Sequence, residues 1–435
     1  MFAAFLLLAT TAVPPRLAPV DPIADRLVAE AIRVAPERAR ARANVDAARS
    51  RIEPARTPAD PIVSFSYQND GRDLSFGDAE GSFLGVMLSQ AVPWPGKLAL
   101  AGKTARSAAR ELEVGEQSRL ELSIEARVRN AWYDLLLARA LDQLLEERRT
   151  TAKQIAASVR DRYAAGLAAQ QDALRAEVEV ARIEESFALQ QAEIVSRSAE
   201  LHRLLGRSQD GAIEDQGALP ADADVPPAAD VVAGVLLRSP ELAAAKQGLE
   251  TGRIGIAMVE KSFFPDFVVS AGSMSRGSFE MGPMWQIGVG VSIPAWSDRR
   301  QRNQLAEAHA RVAAREAENE VLARELELRT RERLAQLDAA RRIVALDRDT
   351  ILPLDELALE SALASYRSGK VPFISVLEAM NALYGDRARS LARLAECAKW
   401  RVAIDEGGFE RRSQKAETGS EGPSMSSSAA MSSMR

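Results

Sequence analysis

The sequence predicts a mainly α protein with a small β part. Its unit is a helix, a β-hairpin, a long helix, a hairpin tip and a further helix, present twice. Three observations carry this expectation. A short break between long helical runs, Arg160 to Val178, recurs as Ala364 to Ala382. The run Leu98 to Ala165 contains no proline and carries an apolar stripe. Four short segments alternate apolar with small or polar residues at the period of a strand.

The repeated break sets the register of the duplication. Tyr163 aligns with Tyr366, Gly166 with Gly369, Leu174 with Leu377 and Ala176 with Ala379, all at an offset of 203 (366 − 163). A glycine just past a helical run can take the left-handed conformation that closes a helix C-terminus. Pro372 then suits a helix start but not a helix interior. Each copy therefore reads as the tip of a helical hairpin. Pro36-Glu37 recurs as Pro240-Glu241 and Pro61 as Pro265, each at an offset of 204 (240 − 36, 265 − 61). Pro93 recurs as Pro294 at an offset of 201 (294 − 93). The slippage falls in turns, where changes of loop length cost little. A unit of roughly 200 residues is a domain-scale duplication, far longer than a solenoid repeat.

In chain order, Met1–Ala18 reads as a signal peptide whose apolar run is too short to span a bilayer. It lacks a basic n-region, and a cut after Ala12 or Ala18 suits it. No cysteine follows that run, so no lipid anchor is expected there. The first repeat covers 25–207. It opens with a helical stretch from Asp25 to Arg56, in which Pro36 also suits the true helix start with the preceding turn separate, and it is stopped by Pro54 and Pro58. A hairpin over 62–92 follows. Val63, Phe65 and Tyr67 oppose Ser64, Ser66 and Gln68 in its first strand, and Leu84, Val86 and Leu88 share a face of the second. Leu98 to Ala165 is one long amphipathic helix, with its tip near 163–172. Gln170 to Leu205 is the returning helix, ended by Gly206. Residues 208–227, rich in Asp, Pro, Ala and Gly, form the inter-repeat linker.

The second repeat covers 228–408. Ala228 to Ser262 is helical, and a hairpin covers 267–293. In its last strand Trp285, Ile287, Val289, Val291 and Ile293 share one face. A helix from Arg299 to Ser365 is kinked at Pro353. The tip lies near 366–375, and Ile374 to Ile404 is the last helix. The Ser-rich tail 409–435 has the composition of a disordered segment.

Composition narrows the function. With 56 basic and 61 acidic residues and a net charge of −5, no nucleic-acid partner is expected. Cys397 is the one cysteine, which excludes an internal disulfide and any multi-cysteine metal site. His202 and His309 are the two histidines and are far apart in sequence. No Ser-His-Asp arrangement and no phosphate-binding glycine loop is present, so the chain does not read as an enzyme, and no cofactor or metal site is expected. Met274, Met281 and Met284 lie in or beside the second hairpin. Thioethers suit Cu(I), but incidental loop methionines are the simpler reading.

Four strands cannot close a membrane barrel, which begins at about eight. Two open edges would also be intolerable in lipid. The strand faces nevertheless suit a membrane. A homotrimer in which each chain gives four strands to one barrel, and its long helices to one cylinder, resolves the conflict.

In the residues Tyr163-x-x-Gly166…Asp172-x-Leu174 and Tyr366-x-x-Gly369…Ser375-x-Leu377, the paired hairpins and Ser89-Gln90-Ala91-Val92-Pro93-Trp94-Pro95-Gly96-Lys97, the chain resembles the TolC-type outer-membrane efflux family. The likeness spans about Asp25 to Gly408. It implies a trimer with a 12-stranded outer-membrane β-barrel on a long α-helical barrel in the periplasm of a Gram-negative bacterium. It also implies a passive exit duct for small molecules or metal ions, a periplasmic adaptor and an inner-membrane pump of the resistance-nodulation-division type. Carried over by position, Asp172, Tyr366, Ser375 and Glu378 are the periplasmic gate, with Ser375 standing where an acid is often found. Gly166, Leu167, Ala168, Gly369, Lys370 and Val371 form the adaptor-docking tips. Asp172 and Glu378 also suit simple helix starts, where acids favour the dipole. The Pro-Trp-Pro-Gly-Lys segment resembles the heavy-metal subgroup. The alternative is a soluble periplasmic coiled-coil adaptor or scaffold, although an adaptor would carry one hairpin flanked by small β-domains.

Overall fold

The computed structural model describes residues 16–69, 82–208, 213, 217–221, 224–275 and 282–407. Most of the expected signal peptide, parts of the linker, Met281 and the tail 409–435 lie outside these residues.

Where the sequence predicts one opening helical stretch, the structure has three helices: α1 (Pro22–Val34), α2 (Pro36–Ser50) and α3 (Ile52–Arg56). The break falls at Ala35, whose ψ of 116° is forced out of the helical region by the ring of Pro36. The second repeat breaks in the same way. α7 (Ala228–Arg238) and α8 (Pro240–Lys261) part at Ser239, with ψ 117°. Ser239 Oγ accepts the Leu242 amide at 3.2 Å and so caps α8. Ala35 and Ser239 are offset by 204 (239 − 35), so the duplicated Pro-Glu landmark marks a duplicated turn.

Strands β1 (Ile62–Gln68), β2 (Phe83–Val92), β3 (Asp266–Ser275) and β4 (Met284–Ser292) form one antiparallel sheet in the order β1-β2-β3-β4. The two hairpins, distant in sequence, pair through β2 and β3. Registers such as Phe65↔Val86, Val269↔Val289 and Ala271↔Ile287 put most of the large apolar side chains of the four strands on one face. Ser64, Ser66, Met87, Ser270, Gln286, Gly288 and Gly290 line the other. Neither face is covered by the helices. Phe65 is 79% exposed and Trp285 78%.

The sheet joins the helices through a polar and aromatic knot. Asp266 Oδ1 accepts from the Trp94 amide at 2.7 Å and from Lys97 Nζ at 2.8 Å. The Trp94 ring stacks on Phe264 and Phe267. The Pro-Trp-Pro-Gly-Lys stretch thus fixes the angle at which the strands leave the helical body.

The long helix of the first repeat runs as α4 (Lys97–Leu112), a π-helical turn (Glu113–Gln117) and α5 (Ser118–Ala164). At about 1.5 Å per residue α5 alone is on the order of 70 Å long. α6 (Gln170–Leu205) returns along it. In the second repeat α9 (Gln301–Leu346), a π-helical turn (Asp347–Ile351) and α10 (Leu352–Arg367) precede α11 (Phe373–Glu406). The expected kink at Pro353 takes the form of that π turn. It accommodates the missing amide and the ring's clash with a carbonyl one turn back. Asp347, buried within it, is held by Arg393 Nη1 at 2.6 and 2.8 Å.

Among the described residues three apolar clusters hold the helices. One surrounds Trp132 and Tyr133 where α1, α5, α6 and α11 meet. One joins α7, α9 and α11 around Leu337. The third lies at the far end of α5, α6, α10 and α11, around Val159, Ile183, Phe373 and Met380. Among the described residues no helix is long and apolar enough to cross a membrane.

Candidate functional site: the paired helix tips

Both tips close by the same hydrogen bonds. Gly166 N–H donates to the Tyr163 carbonyl at 2.9 Å and Leu167 N–H to the Arg162 carbonyl at 2.8 Å. In the second tip Gly369 donates to Tyr366 at 3.0 Å and Lys370 to Ser365 at 2.9 Å. This is the Schellman pattern, which satisfies the last carbonyls of a helix. It requires a left-handed residue, and Gly166 and Gly369 have φ of 72° and 75°. A Cβ at either would meet nothing within 4 Å, so backbone conformation alone selects glycine here.

Identical in backbone, the tips differ in chemistry. At the offset of 203, Arg162 stands opposite Ser365 and Asp172 opposite Ser375. Gln170 stands opposite Phe373. The first tip supplies charges and the second supplies rings. Tyr366 is 7% exposed and packs on Phe373, with ring centres 5.4 Å apart and tilted by 55°. Its counterpart Tyr163 is 43% exposed. The Arg162 guanidinium lies 5.3 Å over the Tyr366 ring. It also donates to the Arg367 carbonyl at 2.7 Å and to the Leu167 carbonyl at 3.3 Å. Burial and the Asp172 carboxylate push the Tyr366 phenol up, against the pull of Arg162, so it stays neutral.

The structure therefore brings together two of the four expected gate residues, Asp172 and Tyr366. Arg162 joins them. Ser375 and Glu378 lie one turn apart on α11, away from the face that Val376, Leu377 and Met380 bury. Glu378 is exposed and Ser375 half-buried. Asp172 sits in the first turn of α6, whose N-cap Ala169 provides no side-chain acceptor, so its charge also suits the helix dipole. Of the tip residues, Gly166, Leu167, Gly369 and Lys370 are exposed, while Ala168 and Val371 are half-buried.

Polar side chains brace the helices behind the tips. Arg148 Nη2 donates to Glu179 Oε1 at 2.6 Å and to Asn381 Oδ1 at 2.7 Å, tying α5 to α6 and α11. The hydroxyls of Thr151 and Tyr384 meet at 2.8 Å. Arg160 pairs with Glu177 at 2.9 Å across the exposed flank. Among the described residues no group of three or more His, Cys, Asp or Glu side chains is placed to hold a metal ion. Met274 stands directly opposite Met284 in the β3–β4 pair.

Comparison with known proteins agrees with this geometry. The cobalt-zinc-cadmium resistance protein CzcC of Cupriavidus metallidurans is 28% identical over 299 residues, covering 68% of this chain and 70% of that protein. The crystal structure of CusC superposes with a TM-score of 0.74 at 19% identity, covering 93% of this chain and 96% of that one. That of the outer membrane protein VceC from Vibrio cholerae superposes with a TM-score of 0.72 at 20% identity, covering 89% of this chain and 96% of that one. The CusC structure is that of a transmembrane channel. The profile of the outer membrane efflux proteins matches residues 27–207 and 231–405, one span in each repeat. The chain belongs to the outer membrane efflux protein family.

Proposed function

We propose that the protein is the passive exit duct of a tripartite efflux system in the outer membrane of a Gram-negative bacterium. The observation that carries this reading is a four-stranded sheet, apolar on one face and small and polar on the other, with neither face covered by the chain's own helices. Three copies supply twelve strands, remove every sheet edge and set the apolar face against lipid. Their helices then continue the wall into the periplasm. Asp172, Ser375 and Glu378 ring the narrow end, while Tyr366 holds the two tips of one protomer together. Six carboxylates around a threefold lumen favour cations and repel anions. The exposed turns Gly166-Leu167-Ala168 and Gly369-Lys370-Val371 form the docking face for a periplasmic adaptor, with the energy supplied by an inner-membrane pump of the resistance-nodulation-division type. The likeness to a cobalt-zinc-cadmium resistance protein and the Pro-Trp-Pro-Gly-Lys segment favour metal ions as cargo.

The test is conductance in planar bilayers. The Asp172→Asn, Glu378→Gln double variant is expected to lose cation preference and change single-channel conductance. Unchanged conductance and selectivity would reduce both acids to helix-start residues. A monomer by native mass measurement in detergent would sink the duct itself.

A further inference from the structure

Arg16, Leu17 and Ala18 fall inside the segment that the sequence assigns to a signal peptide, yet they are built into the fold. Leu17 is 6% exposed and packs in the cluster of Val231, Val235 and Leu337 of the second repeat. The Ala18 amide donates to Asp405 Oδ2 at 2.6 Å, near the end of α11. Arg238 reaches the other oxygen of Asp405 only at 3.4 Å. Arg16 Nη1 turns to the first repeat and meets both oxygens of Glu125 on α5, at 3.0 and 3.1 Å. Glu125 Oε1 also accepts Arg129 Nε at 3.2 Å. Downstream, Asp21 caps α1 through the Ile23 and Ala24 amides and accepts Trp132 Nε1 at 2.9 Å.

We infer that the leader is removed ahead of Arg16, and that Arg16–Ala18 of the mature chain is a clasp joining the two repeats. A cut after Ala18 would strip the Asp405 carboxylate of the amide that satisfies it, in a place where burial already disfavours charge. It would also uncover the cluster that Leu17 fills. The sequence agrees independently. Processing sites want small residues at the last and third-last positions before the cut. A cut after Ala18 puts Arg16 at the third-last position; a cut after Ala12 puts Thr10 there.

This inference rests on the proposed export to the outer membrane, and the experiment separates the two. The full chain is expressed in a Gram-negative host, fractionated, and its N-terminus read by sequencing and intact mass. An outer-membrane protein beginning ahead of Arg16, at Val13, is expected. An outer-membrane protein beginning at Pro19 overturns this inference alone. An uncut chain confined to the soluble fraction overturns the export reading and this inference with it. The clasp is tested by Ala18→Pro, which removes the donated amide, and Ala18→Gly, which keeps it. Ala18→Pro and Leu17→Asp are expected to lower the yield of heat-resistant oligomer several-fold, and Ala18→Gly to leave it unchanged. Wild-type yield in both of the first two would overturn the clasp.

Discussion

The guanidinium of Arg162 covers the ring of Tyr366 at 5.3 Å and donates at 2.7 Å to the carbonyl of the next residue, Arg367. One side chain of the first repeat thus caps the last turn of a helix in the second. Orphan carbonyls at a helix C-terminus favour such a cation. Arg162→Ala is expected to cost about 1–2 kcal/mol of local tip stability and to raise the open probability in planar bilayers. Arg162→Lys keeps the charge but not the planar fork, and should fall between. A conductance record identical to wild type for Arg162→Ala would show that the tips are held elsewhere.

The two tip glycines should respond alike. Each has positive φ and open space where a Cβ would go. Gly166→Ala and Gly369→Ala are each expected to cost about 1–2 kcal/mol from backbone strain alone, read by chemical denaturation. Asparagine tolerates the left-handed region better, so Gly→Asn at either site should recover part of the loss. A larger loss at one site only would mean that an adaptor or a neighbouring protomer contacts that turn.

Behind the tips, Glu179 is buried and its partner Arg148 is mostly so. Glu179→Ala leaves Arg148 Nη2 with Asn381 Oδ1 as its acceptor. The expected loss is about 1.5–3 kcal/mol, as for hydrogen bonds to charged groups. Asn381→Ala should cost less, because the ion pair survives it. Thermal unfolding of both variants and of the double variant gives the coupling directly.

Much of the fold was legible because its signals are local. A glycine that must take positive φ and a strand that alternates with period two are written in a few neighbouring residues. The chain therefore declared both tips and all four strands, with bounds off by a residue or two. The breaks at Ala35 and Ser239 were half-legible. The prolines were visible, but the helical pattern on either side runs through them. The π turn at Glu113–Gln117 has no proline or glycine pair beside it other than Gly115, and no period betrays it. The contact of Arg162 with Tyr366 was hidden for another reason. Tyr163 and Tyr366 are equivalent in sequence, and Tyr366 is the buried one because Phe373 and Arg162 pack on its ring. Arg162 reaches residues more than two hundred positions away, which no local pattern reports.

The two faces of the sheet make a directional test. Ile287 and Gln286 are adjacent on β4 and point to opposite faces. In the proposed barrel Ile287→Arg places a charge on the lipid side and Gln286→Arg one on the lumen side, the former with an expected cost of about 2–4 kcal/mol near the bilayer midplane. Gln286→Arg should leave the amount of heat-resistant oligomer in the outer-membrane fraction close to wild type. Equal losses for the two would refute the assignment of faces.

Acid should loosen the join between α1 and the end of α6. Arg207 Nε and Nη2 grip Glu30 Oε1 and Oε2 at 2.7 and 2.6 Å. These hydrogen bonds, aided by the charges of Arg207, Arg33 and Arg26, hold the Glu30 carboxyl below its ordinary value despite some burial. A carboxyl with a lowered pKa in the folded state contributes stability that is complete above its unfolded pKa of about 4.3. That contribution is lost as pH falls through the folded value. Both partners are partly exposed, so the pair is worth under about 1 kcal/mol. Glu30→Gln should therefore lie slightly below wild type in denaturant midpoint at neutral pH and converge with it in acid. Pairing it with Arg207→Gln should add little further loss, since both changes break the same bidentate ion pair. A gap between Glu30→Gln and wild type that stays constant from neutral pH into acid would mean the carboxylate is not what Arg207 holds.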